Sequence, residues 1–494
     1  MTKPILPVNQ SANNQVTRLL DPVSNAETRA LLRGIQGNIL KAHGRHHTAN
    51  VFIRCRQGQQ TNVKQWLTEL VRAEQPLIRS ALVQVEENAR FKRAELRPEQ
   101  TRLFACIHIS AAGYDYLLGH DARLRFDDTA FQNGMREADL NDPPLAQWDE
   151  PFRRDTHLML LLAHADRKVL SSTLDDVKQR IAPFALTVAV EHGNAIFHKN
   201  GAGIEHFGYV DGVSQPLFFE DEWQTYLAVN DIRSDADIRF DPRANPSLVL
   251  VPDPFADADE NARGSYFVFR KLEQNVGGFK EAEEGLAAVL GLSKADEERA
   301  GAMLIGRFED GTPVEERGSD NMSGSSERNN FSYGLNDASR CPFHAHIRKT
   351  NPRFEAPAAG NQPLHNHMMA RRGITYGQRD QTTDPQDRPT SGVGLLFMSY
   401  QASIIEQFEF IQKRWVNDPA APHVGNATTP AEQEGLDPII GQGTRHPDGA
   451  YASTWRNPLT LRRASFDQFV HMKGGEYFFA PSMAFLRNLA NPEA

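Results

Sequence analysis

Strand-like and helix-like segments interleave along this chain without a strict βαβ alternation. That ordering limits its fold more than any other feature. Short apolar runs read as β-strands at "ANVFIRC" (49–55), "LFACIHIS" (103–110), "HLMLLLAHAD" (157–166) and "LTVAVEHG" (186–193). Amphipathic stretches of helical spacing lie between them, at "NVKQWLTELVRAE" (62–74) and "RKVLSSTLDDVKQRIA" (167–182). A second set follows, with strands at "GSYFVFRKL" (264–272) and "VGLLFMSYQ" (393–401) and helices at "EEGLAAVLGL" (283–292) and "SIIEQFEFIQKRW" (403–415). Mixed order in both halves predicts an α+β fold with antiparallel sheets. Apolar residues at 31, 32, 35, 39 and 40 predict one more short helix near the start. No short-period repeat is present, which argues against a solenoid or propeller.

The chain has 494 residues, enough for two or three ordinary domains. Its net charge of −9, with no basic run, argues against a nucleic-acid or anionic-membrane partner. The longest apolar run is too short to span a bilayer. The first residues show neither an apolar signal core nor a twin-arginine pair. The three cysteines, Cys55, Cys106 and Cys341, are odd in number and widely spaced. Together these features predict a cytoplasmic protein without a disulfide framework. Four long irregular stretches, 228–263, 311–345, 375–392 and 416–452, fall in the second half. Loops of such length usually carry function or cover something.

Two stretches are dense in chemistry-bearing residues. "HFGYVDGVSQP" (206–216) sets Asp211 in a G-x-x-D-G pattern, which reads either as a turn or as a carboxylate held beside a flat ligand. "CPFHAHIRKTNPR" (341–353) and "HNHMMARRGITYG" (365–377) each carry an H-x-H pair, His344/His346 and His365/His367. On a strand, residues two apart share a face, so each pair could grip a metal, as in a non-haem hydrolase or oxygenase. Alternatively, one histidine is an axial haem ligand, which needs only a single imidazole. A haem peroxidase then requires a carboxylate behind that histidine, a distal acid–base group and a distal cation. His43, His120, His423 and His446 read as ordinary hydrogen-bonded histidines.

The motifs in order favour the haem reading. "IQGNILKAHGR" (35–45), "HFGYVDGVSQP", "GSYFVFRKLEQNV" (264–276), "RCPFHAHIRKTNPR" (340–353), "ARRGITYG" (370–377), "GLLFMSYQASIIEQFEFIQKRW" (394–415) and "GGEYFFAPSM" (474–483) resemble the dye-decolourising peroxidases, in particular the larger subgroup without an export signal. The resemblance runs nearly the whole length. It implies two ferredoxin-like halves of the dimeric α+β barrel type, each an antiparallel sheet with helices. The expected division is an arm at 1–34, a first domain at 35–227 and a haem-binding second domain with long loops at 228–494.

By the same resemblance, one haem b is held by His346 as axial ligand. Asp211 and Arg371 are the distal acid–base group and cation. Arg371 is preferred to Arg372 because adjacent side chains do not both face the iron. Leu395 and Phe397 are the apolar distal residues, Gly212 lies against the cofactor, and Arg348 and Arg353 are expected to partner the propionates. The carboxylate supporting His346 is expected from the helix after the "LLF" strand, with Glu409 preferred and Glu406 its rival. His344 is a departure from the family pattern and is given no catalytic role; it fills space or approaches a propionate. The partners expected are hydrogen peroxide and a small-molecule, phenolic or dye reductant, with an oligomer compatible. Trp415, Trp455, Tyr400 and Tyr451 are candidates for relaying electrons from bulky reductants. The loops 228–263 and 416–452 are expected to wall the access route. A haem-binding storage, sensing or iron-handling protein with incidental turnover is the alternative function, and the H-x-H metal hydrolase a weaker one.

Overall fold

A computed structural model of the chain describes all residues except 1–18, 97–99, 257, 258, 260, 321–326, 335, 336, 354–361, 380–386, 422–434, 446, 447 and 491–494. The first half contributes four main strands: β1 (His47–Cys55), β2 (Phe104–Ser110), β3 (Leu158–His164) and β4 (Ala185–Asn194). The second contributes β5 (Arg263–Gln274), β6 (Ile374–Tyr376), β7 (Gly394–Gln401) and β8 (Val470–Ala480). In sheet order the first four run β2–β3–β1–β4 and the second four run β8–β5–β7–β6. Both are the same arrangement, with the fourth strand beside the first, then the third, then the second. That is the ferredoxin-like order. Helix α1 (Gln60–Arg72) follows β1 and helix α2 (Arg167–Ile181) follows β3. Helix α3 (Val276–Leu290) follows β5, and a helix wound partly with wide i+5 turns, Ile404–Glu409 and Ile411–Val416, follows β7.

The two sheets join at both edges. Tyr376 of β6 pairs with Gly193 of β4, and Phe478 of β8 pairs with Ser110 of β2. All eight strands therefore close into an antiparallel ring, which removes the unpaired edges of each sheet. Side chains alternate along each strand, so one set fills the ring. Phe52 of β1 meets Phe269 of β5 at 4.8 Å and Phe478 of β8 at 6.4 Å, ring centre to ring centre. These strands belong to different halves, so the halves share one aromatic core.

The strands read from the sequence appear within a few residues, and so do the later helices, except that the one read at 283–292 begins seven residues earlier, at Val276. Two strands are not apparent from periodicity. β6 is only three residues long. β8 is interrupted by Gly474 and Gly475, at a register shift after Met472. A Cβ on Gly474 would lie 2.4 Å from the Phe152 ring, so close packing requires the glycine that hides the strand. The expected helix over 31–40 is corrected: the helix is Ala26–Gly34, and the chain then turns at Asn38, whose φ is +72°. Its apolar residues Leu32, Ile35, Ile39 and Leu40 are nevertheless buried.

Candidate active site

β5 and β7 present opposite faces to different environments. Phe267, Phe269, Leu396, Met398 and Tyr400 are buried on one side, while Arg270, Leu272, Gln274, Leu395 and Phe397 line a cavity of about 520 Å³ on the other. That volume suits a cofactor or small-molecule site, for which roughly 300–1,000 Å³ is typical. The remaining walls come from the connections of both halves: Asn38–Arg45 segment residues, the 203–215 stretch, His346–Arg353 segment residues, Met368–Thr375 and Ile439–Gln442.

His346 opens a short helix, His346–Thr350. The helix is held from behind. The Lys349 ammonium donates to the carbonyls of Asp418 and Ala421 at 2.6 and 2.7 Å. His346 Nδ1 meets Asp437 Oδ2 at 2.9 Å, and Asp437 Oδ1 accepts from the N–H groups of Ile439 and Ile440 at 2.8 and 3.0 Å. Burial works against the charge on both partners. On Asp437 the His346 imidazole and the two N–H groups outweigh burial, and its pKa lies below the usual carboxylate range. On His346 the Asp437 carboxylate outweighs burial and raises the pKa. With Nδ1–H given to Asp437, the Nε2 lone pair is left for the cavity that His346 lines.

Asp211 lies in a turn, and Gly212 after it has φ +78°, a conformation that favours glycine. Asp211 Oδ1 accepts from Gly212 N at 2.6 Å and stands 3.8 Å from Arg371 Nη1. Arg371 is held by two further bonds: Nη2 donates to the Ser214 carbonyl at 2.8 Å and its backbone N donates to Gln215 Oε1 at 3.0 Å. The "SQP" after G-x-x-D-G thus positions the arginine against the aspartate. The motif is a turn, and it brings a carboxylate to the cavity. Arg372 points elsewhere, donating to the carbonyls of Asn38 and Ile39 at 2.7 and 2.8 Å.

The structure brings together His346, Asp211, Arg371, Gly212, Leu395, Phe397 and Arg353 around one cavity. Three expectations need correction. Glu409 does not touch His346: its carboxylate accepts from Tyr477 Oη at 2.9 Å and Lys413 Nζ at 2.8 Å, because its side of the helix faces β8. Glu406 is exposed. The carboxylate behind His346 is Asp437, in a loop rather than a helix. Arg348 does not reach the cavity either. Two residues along a helix is about 200° of rotation, so with His346 turned inward Arg348 turns away. It donates to the carbonyls of Asp337, Cys341 and Gly334. Finally, 416–452 contributes Ile439, Ile440 and Gln442 to the wall, but no described residue of 228–263 lines it. Within that stretch Val249 and Leu250 are instead buried in the shared core.

The H-x-H pairs do not act as pairs. His344 precedes the helix and sits edge-on to Tyr451 at 4.7 Å, while His346 faces the cavity. His367 stacks on Phe410 at 3.7 Å and His365 lies by Phe240. Among the described residues, no group of three or more His, Cys, Asp and Glu side chains is placed to hold a metal ion. His43 accepts from Arg45 N at 2.9 Å but also lines the cavity, and His120 lies on the surface beside Asp121. His423 and His446 lie outside the described residues. Of the four relay candidates, Tyr400, Tyr451 and Trp415 are buried, and only Trp455 is partly exposed, with the Arg456 guanidinium 4.2 Å above its ring.

The lining fits a flat apolar group bearing carboxylates. Arg307 and Arg353 are buried cations on the cavity wall, and neither has an ion-pair partner among the described residues. Both bond neutral groups: Arg353 donates to Ser214 Oγ and Asn329, and Arg307 to Asn329 and two carbonyls. Buried guanidinium groups left this way favour an anionic ligand. Asp437, Arg307, Asn329 and Ser214 were not singled out from the sequence. Asp437 had a signal, since "LDPIIG" places an aspartate before an apolar turn that its side chain can cap.

A ring of two ferredoxin-like halves carries one cavity lined by a carboxylate-backed histidine and by an aspartate–arginine pair. Residues 241–424 match the family described as Dyp-type peroxidase, C-terminal. The chain is 41% identical over 478 residues to the multifunctional dye peroxidase DyP2 of Amycolatopsis sp., covering 94% of this chain and 97% of that protein. The solved structure of DyP2 from Amycolatopsis sp. superposes with a TM-score of 0.85 at 39% identity, over 96% of this chain and 99% of that one. A DyP-type peroxidase from Anabaena sp. superposes with a TM-score of 0.84 at 35% identity, over 95% and 97% of the two chains. The chain belongs to the dye-decolourising peroxidase family and is a peroxidase.

Proposed function

We propose that the cavity holds one haem b on His346 and that the protein reduces hydrogen peroxide at the expense of phenolic or dye-like reductants. The observation that carries this is the His346–Asp437 pair directed into an apolar cavity that also receives Asp211 and Arg371. Haem b, when bound, supplies the iron that takes up peroxide and holds its oxidising equivalents. His346 would ligate through Nε2, made more basic by Asp437. Arg307 and Arg353 would receive the propionates. Leu395, Phe397, Ile411 and Ile439 would exclude water from the ring.

Asp211 would take the peroxide proton from the inner oxygen and return it to the outer oxygen, which leaves as water. Arg371 would stabilise the negative charge that builds as the O–O bond breaks. A carboxylate that both accepts and returns this proton favours an acidic optimum. The sequence relatives include proteins named as dye peroxidases, which supports a bulky aromatic reductant. Substrates too large for the cavity would be oxidised at the surface, with the partly exposed Trp455 as the candidate.

The structure has no helix long and apolar enough to cross a membrane among its described residues, and its three cysteines are free and buried. A reducing cytoplasm suits that chemistry. The proposed division places the arm at 1–34, the first domain at 35–227 and the second at 228–494. Purified protein should show a Soret band and turn over peroxide with a phenol or dye. A Soret band without turnover would favour a carrier or sensor, and no Soret band would remove the haem reading.

A further inference from the structure

The ring interior is rich in aromatic side chains, with Phe52, Phe267, Phe269 and Phe478 in contact across it. Against that background three titratable side chains meet. Tyr400 Oη lies 2.8 Å from His108 Nε2, and Cys106 Sγ lies 3.7 Å from the same hydroxyl. Tyr400 belongs to β7 of the second half, and His108 and Cys106 to β2 of the first. Burying such groups costs stability unless each is partnered, and a phenylalanine would fill the Tyr400 site more cheaply. The cavity reading does not use this cluster.

Its geometry is that of a proton-coupled pair. His108 Nδ1 lies 3.3 Å from the Met159 carbonyl, which fixes the proton on Nδ1 and leaves Nε2 as acceptor for the tyrosine O–H. Burial pushes the His108 pKa down to about 3, so the ring is neutral and its lone pair available. The His108 ring stacks on Phe267 at 4.0 Å, which fixes its orientation. The cluster is also close to the cavity. Tyr400 is three residues beyond Phe397 on the same strand, roughly 10 Å along it. Tyr400 pairs across the sheet with Ala370, the neighbour of Arg371.

We propose that Tyr400 and His108 form a buried redox pair behind the peroxidase cavity, which stores one oxidising equivalent when no external reductant is at hand. The inference rests on the cavity being the redox site. Peroxide leaves that site two electrons short. Tyr400 supplies one of them. Its O–H bond breaks as the electron leaves, the proton passes to His108 Nε2, and the products are a neutral phenoxyl radical and an imidazolium. A phenol that has lost an electron is a strong acid, so even a weakly basic imidazole receives its proton. One electron from a later reductant restores the phenol, and the proton returns from His108. The pair is sealed from water, so the radical is protected from side reactions.

The test is rapid-freeze electron paramagnetic resonance of the holoenzyme mixed with peroxide alone, with the visible spectrum recorded in parallel. The wild-type protein should give a phenoxyl signal. Tyr400→Phe should lose it while keeping its Soret band. His108→Gln, which retains an acceptor but not a base, should lose most of it. A visible change in the wild type without a phenoxyl signal, or the same signal in Tyr400→Phe, overturns the inference and leaves the cavity reading standing. No visible change on adding peroxide overturns both.

Discussion

The two halves have the same strand order and share one core, yet they differ in what covers their outer faces. In the first half α2 packs directly against β1 and β3. In the second, Arg270, Leu272, Leu395 and Phe397 face a cavity roofed by connections. The first-to-second strand connection spans 56–103 in one half and 275–373 in the other. The extra length carries His346, Arg307, Arg353 and Arg371. The ring therefore provides rigidity from both halves, while most charged side chains of the cavity come from long loops on one side. One exception crosses over: Asp211 follows β4 of the first half, and its turn completes the second half's site.

If that division is right, chemistry and stability should separate under mutation. The largest effect falls on peroxide reaction rate. Asp211→Asn should slow it by about 10²–10⁴-fold, and Arg371→Leu by about 10²–10³-fold. Stopped-flow mixing measures both, and neither should change haem content. Next comes the shared core. Phe52→Ala removes a ring in contact with Phe152 and Phe269 and should destabilise the protein by about 3–5 kcal/mol. Because Phe52 touches both halves, calorimetry should show one transition moving to lower temperature. Two separated transitions would mean that the halves are independent.

A smaller effect tests the loop contribution. Asp437→Asn keeps the shape but weakens the bond that orients His346. It should lower haem affinity by about 10–100-fold, whereas Glu409→Gln should leave it unchanged. The smallest effect is a pH slope. Glu205 lines the cavity and is half-buried. Burial pushes its pKa up from 4.5 to about 7, although Phe207 N, Tyr209 N and Gln274 donate to it. A raised folded-state value means that this group's contribution to stability is full below pH 4.5 and is lost as pH rises through about 7. Glu205→Gln lacks that loss. Its melting temperature relative to wild type should therefore rise across this window.

Much of the fold was legible because the strands of the ring are apolar runs and the helices are amphipathic. The misses were local. β8 was hidden by adjacent glycines, Gly474 packed against Phe152 and Gly475 against Met135, and β6 is too short to show a period. Within the site, the cavity residues Asp211, Arg371, His346 and Arg353 lie in dense motifs quoted from the sequence. Asp437 lies 91 positions from His346, and only the folded chain brings them together. Arg348 was misplaced for a simpler reason. The resemblance suggested that it shares the cavity with His346, but helical rotation directs it away.

The central claim is that His346, backed by Asp437, is the point at which haem is held. Replacing it with glycine leaves a space for a free ligand in an otherwise unchanged cavity. His346→Gly should purify without a Soret band when reconstituted with haem alone, and adding imidazole should restore one. A His346→Gly protein that retains the wild-type Soret band without imidazole would contradict the account.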